Sequence, residues 1–375
     1  MKRARTGKSG SQKVSGGGET PAALGYRMPA EWEPHAATIL GWPHERRDWP
    51  GKLAPIPWVY GEVVRHLVPG ERVRILVQDA TSEKRAHALL ERVGVDLERV
   101  DFFRIPTDRS WTRDTCPLFV KRAADGEVAA DVAATDWKFN GWAKYPNHRR
   151  DDAVPARLST RLSRKRFVAT SAVTGRQVVL EGGSIDVDGA GTLLTTEECL
   201  LSPIQARNPE LTREQIELAL GEYLGVRKVL WLGDGIAGDD THGHVDDLAR
   251  FVDARTVALA SEDNPTDANY RVLAENRERL AGMTNAAGQR LQVVALPMPR
   301  PVVLDGVRLP ASYANFYIGN TAVLVPTFND PADREALGIL AELFPTRNVV
   351  GIHAVDLVWG LGTLHCMTQQ EPAAG

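Results

Sequence analysis

The chain has 375 residues, 43% hydrophobic and 25% charged, with a net charge of −3. That balance excludes a disordered or low-complexity chain and describes a folded protein with a core of ordinary size. Residues 1–27 hold six Lys or Arg and one Glu, so the remainder is more acidic than the total; this argues against nucleic acid as the partner and suits a cationic ligand.

The opening stretch MKRARTGKSGSQKVSGGGET is basic and rich in Gly and Ser. It lacks the apolar run of a signal peptide and reads as a disordered leader over 1–27, ahead of a single domain over 28–375. From Met28 onward, short runs rich in Val, Ile and Leu alternate with segments of 3.6-residue apolar spacing. The alternation predicts a strand at Ala37–Leu40, a helix at Pro57–Leu67, a strand at Val73–Gln78, a helix at Thr81–Val93 and a strand at Val100–Ile105. Asn140–Asp152 reads as an exposed loop. Strands follow at Gln177–Leu180 and Thr192–Thr195, then a helix at Thr212–Leu224, whose Thr212 and Gln215 form a capping-box pattern. Further strands are expected at Lys228–Leu232, Thr256–Ala260, Gln292–Leu296, Ala322–Pro326 and Val349–Ile352, with helices at Ala268–Ala281 and Pro331–Leu343. Asp330 before Pro331 reads as an N-cap with Pro in the first turn. No run approaches the roughly 18 apolar residues of a membrane span, so no membrane contact is expected.

The chemistry-bearing segments lie far apart in sequence, mostly at strand ends, as expected of one domain whose strands converge on a common centre. Cys366 follows Gly360-Leu361-Gly362-Thr363-Leu364-His365; a buried structural thiol and a nucleophile are both open readings. Cys199 leads into Leu200-Leu201 and reads as core, and Cys116 has no base beside it. Three cysteines fit a reducing compartment, the cytoplasm, better than a disulfide framework. In Asp240-Thr241-His242-Gly243-His244-Val245-Asp246, extended backbone would put His242, His244 and Asp246 on one face. That suits either a paired metal site, as in a zinc hydrolase, or an acid/base imidazole beside a substrate carboxylate; no further ligand-spaced histidine pair supports the metal. Asp114, in Trp111-Thr112-Arg113-Asp114-Thr115, and Glu181, before Gly182-Gly183, are each unspecific alone. As a set, thiol, imidazole and several carboxylates point to a cysteine-dependent enzyme acting on a guanidinium group.

From Met28 to Pro372 the sequence resembles the agmatine deiminases and the related bacterial peptidyl-arginine deiminase family. The resemblance rests on MPAEWEPH, WTRDTCP, FNGWAKYP, LEGGSIDVDGAGTLLTTEECLL, RNPELTREQIE, DDTHGHVDDLARF, ASYANFYIGN and GTLHCMTQQEP, in that order. It implies the pentein fold, a five-bladed α/β propeller with the active site on its pseudo-fivefold axis. It further implies Cys366 as nucleophile, His244 as general acid/base and Glu181 as its orienting carboxylate. Asp114 and Asp246 would grip the guanidinium, Trp111 would pack on the substrate's methylene chain, and Asp240 joins the substrate-binding set. The implied reaction is agmatine to N-carbamoylputrescine through a covalent thiouronium, with no cofactor or metal and a homodimeric assembly. Deimination of peptidyl or free arginine is the alternative, and an inactive guanidino-ligand binder a remoter one. The chain departs from the family at three places. Family members commonly read GGGNIHC where this chain has Gly360-Leu361-Gly362-Thr363-Leu364-His365-Cys366; His242 replaces Asp, Asn or Ser, and Cys116 replaces Gly. Arg250 reads as a structural ion-pair partner.

Overall fold

A computed structural model describes residues 19–126 and 128–374. Among these residues, five sheets share one wiring: a short first strand pairs antiparallel with a central strand, which pairs parallel with a third. In chain order the central strands are His35–Gly41, Asp131–Asp136, Thr192–Thr196, Thr256–Ser261 and Ala322–Thr327. Each is followed by a helix before its parallel partner: Ile56–Leu67, Val154–Arg161, Arg213–Leu224, Asn269–Ala281 and Ala332–Leu343. A parallel neighbour needs such a crossover, because its chain must return to the starting edge of the sheet. The fold is therefore a mixed α/β assembly of repeated small sheets. The central strands bury nearly every side chain, which explains their continuous apolar runs.

Most of the predicted strands and helices are present within a residue or two. Thr212 Oγ1 accepts from the Gln215 N–H while the Gln215 side chain accepts from the Thr212 N–H, completing the capping box. Asp330 Oδ1 does cap the Ala332 N–H, although Pro331 is the residue that opens the helix. Three expectations need correction. Gln177–Leu180 is not a strand; it makes only single bridges, Gln177 to Thr170 and Val179 to Lys138. Asn140–Asp152 is a loop exposed at Ala143, Lys144, Pro146, Arg149 and Arg150, as expected, but Gly141, Trp142 and Asp151 are buried. Ordered structure begins before Met28: Tyr26 is buried and its hydroxyl donates to Asp131, and Arg27 pairs with Lys121 across a bridge. The basic leader over residues 1–18 lies outside the described residues. Among the described residues no helix is long and apolar enough to cross a membrane.

The wiring positions the site. The first strands of the five sheets are Leu118–Arg122, Asp186–Val187, Ala249–Phe251, Tyr317–Ile318 and Thr368–Pro372. Just ahead of them stand Asp114, Gly183, Asp246, Asn315 and Cys366, so each sheet delivers one turn to a shared centre.

Candidate active site

Those turns meet at the floor of a cavity of about 480 Å³, lined by Trp111, Asp114, Trp142, Asp240, Leu361 and Cys366 among others. Asp114 sits in the short helix Thr112–Thr115. Its Oδ1 accepts from the Gly183 N–H at 3.0 Å and its Oδ2 from the Trp142 indole at 2.9 Å. A Cβ on Gly183 would lie 2.6 Å from His244 Nδ1 and 3.0 Å from Asp114 Oδ1. Only glycine can pack there. Trp142 and Ala143 both have positive φ, 57° and 53°, and this turn brings the Trp142 indole against Asp114.

His244 and Asp246 come together as expected, but not through an extended face. His242 and Gly243 have φ of 65° and 88°, and Val245–Asp247 form a single 3-10 turn. His242 therefore leaves the centre: its ring meets Ser202 Oγ at 3.1 Å and Glu198 Oε1 at 3.4 Å. The pairing of His242 with His244 that a metal hydrolase would use does not form. Two other groups of three have atoms close enough to share an ion, Glu181 with Cys199 and His244, and Asp246 with Asp247 and Cys366; neither uses His242.

The buried His244 ring is surrounded by carboxylates. Nδ1 lies 4.0 Å from Asp114 Oδ1 and 3.9 Å from Asp246 Oδ1, and Nε2 lies 3.7 Å from Glu181 Oε2. Burial disfavours the imidazolium, but Asp114 and Glu181 outweigh it, and the ring is held well above the ordinary histidine range. Glu181 is wholly buried. Burial pushes it up, while Arg207, 3.0 Å away, and His244 pull it down to about 2. Asp114 goes the other way. Burial raises it to about 6, with His244 opposing and the charges of Asp246 and Glu181 adding to the rise.

Cys366 Sγ accepts from the Asn315 side-chain amide at 3.1 Å and donates to Asp246 Oδ2 at 3.7 Å. Burial, then Asp246, Asp247 and Asp114, push this thiol well above the ordinary range, which favours S–H over thiolate. Asn315 Nδ2 also donates to Asp247, and its Oδ1 takes the Thr363 hydroxyl at 2.7 Å and the His365 N–H at 3.0 Å. Asp246 Oδ1 is buried without a hydrogen-bond partner. A buried carboxylate oxygen that no protein donor reaches is suited to a cationic ligand.

Trp111 lines the cavity and stacks on Trp49, ring centroids 5.2 Å apart. Gly360 and Gly362 serve these rings: a Cβ on Gly360 would fall 2.5 Å from Trp49 Nε1, and one on Gly362 3.0 Å from Trp111. Between them Leu361 occupies the left-handed region at φ 66°, a conformation glycine adopts freely and leucine at a cost. Asp240 reaches the cavity from its mouth, where its carboxylate takes the Lys144 ammonium and the Tyr145 hydroxyl. Cys116 is away from the cavity, packed with Ile39, Leu76 and Phe103.

Of the seven residues singled out from sequence, Cys366, Asp114, Trp111 and Asp240 line this cavity, and His244, Glu181 and Asp246 are buried directly behind Asp114 and Cys366. Sequence reasoning missed Arg207, Asn315, Trp142 and Asp247. Cys199 is core as expected, packed with Leu200 and Leu220, and its sulfur also lies within 4.8 Å of His244 and Glu181 ligand atoms. Arg207 and Asn315 fall inside motifs already singled out, but a polar side chain that serves another side chain leaves no spacing signal.

The chain matches the Porphyromonas-type peptidyl-arginine deiminase family over residues 27–372. It is 36% identical over 377 residues to the agmatine deiminase of Ectopseudomonas mendocina, covering 94% of this chain and 97% of that one. Among solved structures it is similar to the agmatine deiminase of Enterococcus faecalis, with a TM-score of 0.86 at 32% identity, covering 97% of this chain and 100% of that one. The agmatine deiminase of C. jejuni superposes with a TM-score of 0.77 at 28% identity, over 92% and 96% of the two chains. On these matches, this chain belongs to the Porphyromonas-type peptidyl-arginine deiminase family.

Proposed function

We propose that this protein hydrolyses the guanidinium group of agmatine to give N-carbamoylputrescine and ammonia. The observation that carries the reading is Asp246: one oxygen touches the Cys366 thiol, which lines the cavity, and the other is buried with no donor from the protein. A guanidinium bound between Asp246 and Asp114 would fill that vacant acceptor and present its carbon to sulfur.

The chemistry then follows from charge. The arriving cation offsets the carboxylates that hold Cys366 protonated, so the thiol gives its proton to solvent in the cavity and adds to the guanidinium carbon as thiolate. His244, as imidazolium, gives its proton to the departing nitrogen, which leaves as ammonia. The neutral ring next takes a proton from water as the oxygen adds to the thiouronium carbon. Collapse of that adduct breaks the carbon–sulfur bond, and its hydroxyl proton passes to the departing Cys366 sulfur as the ureido product is freed. Glu181, fixed by Arg207, orients the ring from its Nε2 side.

Agmatine is favoured over arginine on the similarity to agmatine deiminases; its second cationic end would meet Asp240 on the cavity wall beside Lys144, while Asp48 is paired with Arg109. The five like-wired sheets support reading the fold as a five-bladed pentein propeller, with residues 28–375 as one catalytic domain. A homodimer in the cytoplasm is proposed from the family resemblance and the three unpaired thiols. Ammonia and ureido product should be measured from agmatine, free arginine and a blocked arginine peptide side by side. Agmatine is expected to give the highest kcat/KM; preference for either arginine form would replace this reading with arginine deimination.

A further inference from the structure

The residue before the thiol, His365, has a place in the site that the reaction scheme does not use. Its ring is buried, with Nδ1 2.7 Å from Asp246 Oδ2 and Nε2 2.8 Å from Glu31 Oε2. Ionised carboxylates only accept, and a neutral imidazole has one N–H to give. A neutral ring would set a lone pair against a carboxylate oxygen in a dry interior, a costly arrangement. Moving the proton onto Glu31 does not relieve this. Glu31 already accepts from Arg250 at 2.9 Å, from Arg113 at 3.2 Å and from the Ile318 N–H at 2.8 Å. Burial opposes its charge, but Arg250 and His365 hold it well below the ordinary carboxylate range.

We propose that His365 is a positioning residue: an imidazolium, donating from both nitrogens, that keeps Asp246 ionised and aims its second oxygen at the guanidinium. The proposal rests on the reading of Asp246 as a guanidinium carboxylate. The groups facing the ring form one alternating set. Asp246 stands on the site side and Glu31 behind it; Arg113 and Arg250 lie beyond, and Asp186 lies 3.4 Å from Arg250. The ring thus ties the reaction centre to a fixed counter-charge. Asp246 needs that tie, because Asp114 stands nearby and Cys366 and Asp247 share its pocket. Burial drives Asp246 toward the neutral acid; the His365 hydrogen bond and charge reverse this and keep it below the usual carboxylate range. The same geometry gives the two carboxylates different tasks. Asp246 is a permanent anion, whereas Asp114, without such a partner, takes its charge as the pH rises or as substrate arrives.

Two measurements test this. The first needs no substrate: in protein labelled with ¹⁵N-histidine and carrying Cys366→Ser, the ring nitrogens of His365, assigned through its backbone, are read at about pH 7. Both should carry a proton; an unprotonated nitrogen overturns the proposal whatever the enzyme's substrate. The second compares His365→Gln with wild type. Glutamine offers one donor and no charge, so kcat/KM for agmatine should fall by about 10- to 150-fold, the size of one lost charge-assisted hydrogen bond. The acid limb of its pH profile should also move to higher pH as Asp246 begins to take up a proton. A loss of the same factor at every pH, with no shift of the limb, would mean a merely structural role and overturn the proposal. If His365→Gln does not fold, the nitrogen measurement alone decides. An imidazolium ring together with an Asp246→Asn variant that retains full activity would instead show the Asp246 assignment to be wrong.

Discussion

The Cys366 sulfur lies 3.7 Å from Asp246 Oδ2, so the candidate nucleophile rests against a carboxylate that opposes its ionisation. Burial and the neighbouring Asp247 and Asp114 act in the same direction. An empty site built this way keeps its thiol protonated and leaves activation to the cationic substrate.

Alkylation checks that state directly. Inactivation of the ligand-free enzyme by iodoacetamide should be slow at neutral pH and climb steadily as pH rises, because the thiolate fraction grows throughout. A rate that has already reached a plateau near pH 7 would mean a preformed thiolate.

Asp114 sets the acid side of the reaction. Its carboxyl is raised to about 6 by burial, opposed by His244 and reinforced by Asp246 and Glu181. It must be ionised to hold the guanidinium, and its ionised fraction grows as pH rises through that value. The free-enzyme profile, kcat/KM against pH, should therefore fall on the acid side around pH 6. In kcat the limb should lie at lower pH, since bound cation favours the carboxylate. A flat kcat/KM profile down to pH 5 would show that Asp114 does not need its charge.

The guanidinium grip should be separable from the rest of the pocket. Asp114→Asn or Asp246→Asn keeps the volume and removes one charge, which should weaken binding by about 10- to 150-fold, with a larger loss in kcat as the carbon is no longer held against sulfur. Agmatine, arginine and a blocked peptide should suffer equally, because they share the guanidinium. Changes at Trp111, Asp240 or Leu361 should instead alter the ranking of the three. A penalty on one substrate alone from Asp114→Asn would remove that carboxylate from the guanidinium.

Arg207 offers a test of the shell behind the imidazole. Its side chain is fully buried against Glu181, and it also donates to the backbone carbonyls of Gln205 and Thr241. Arg207→Met leaves a buried carboxylate without its cation, which should cost about 3–5 kcal/mol of stability and allow Glu181 to take up a proton at higher pH. Thermal melting and the pH dependence of kcat should both change. A stable, fully active Arg207→Met protein would show that Glu181 does not depend on this pair.

How much of this was visible in the sequence depends on what each residue touches. Central strands such as Ala322–Thr327 read clearly because both faces are buried and the apolar run is continuous. The short first strands did not. Thr368–Pro372 is wholly buried yet reads Thr-Gln-Gln-Glu-Pro, its polar side chains satisfied by distant partners such as Arg113 on Gln370 and Arg164 on Glu371. His242 misled for a related reason: period-2 spacing assumes extended backbone, and the positive φ at His242 and Gly243 turns the chain. Cys366, His244 and Asp114 were found by residue type and motif. Asn315 and Arg207 act through other side chains, and only the folded geometry brings them to the site.

The central claim is that Cys366 bonds covalently to the substrate carbon. The most direct measurement is rapid acid quenching of the wild-type enzyme during turnover of agmatine, followed by mass spectrometry of the peptide that contains Cys366. The predicted result is a Cys366 adduct with the mass of agmatine less one ammonia. An unmodified Cys366 peptide at every quench time while ureido product accumulates, together with substantial turnover by Cys366→Ser, would contradict the account.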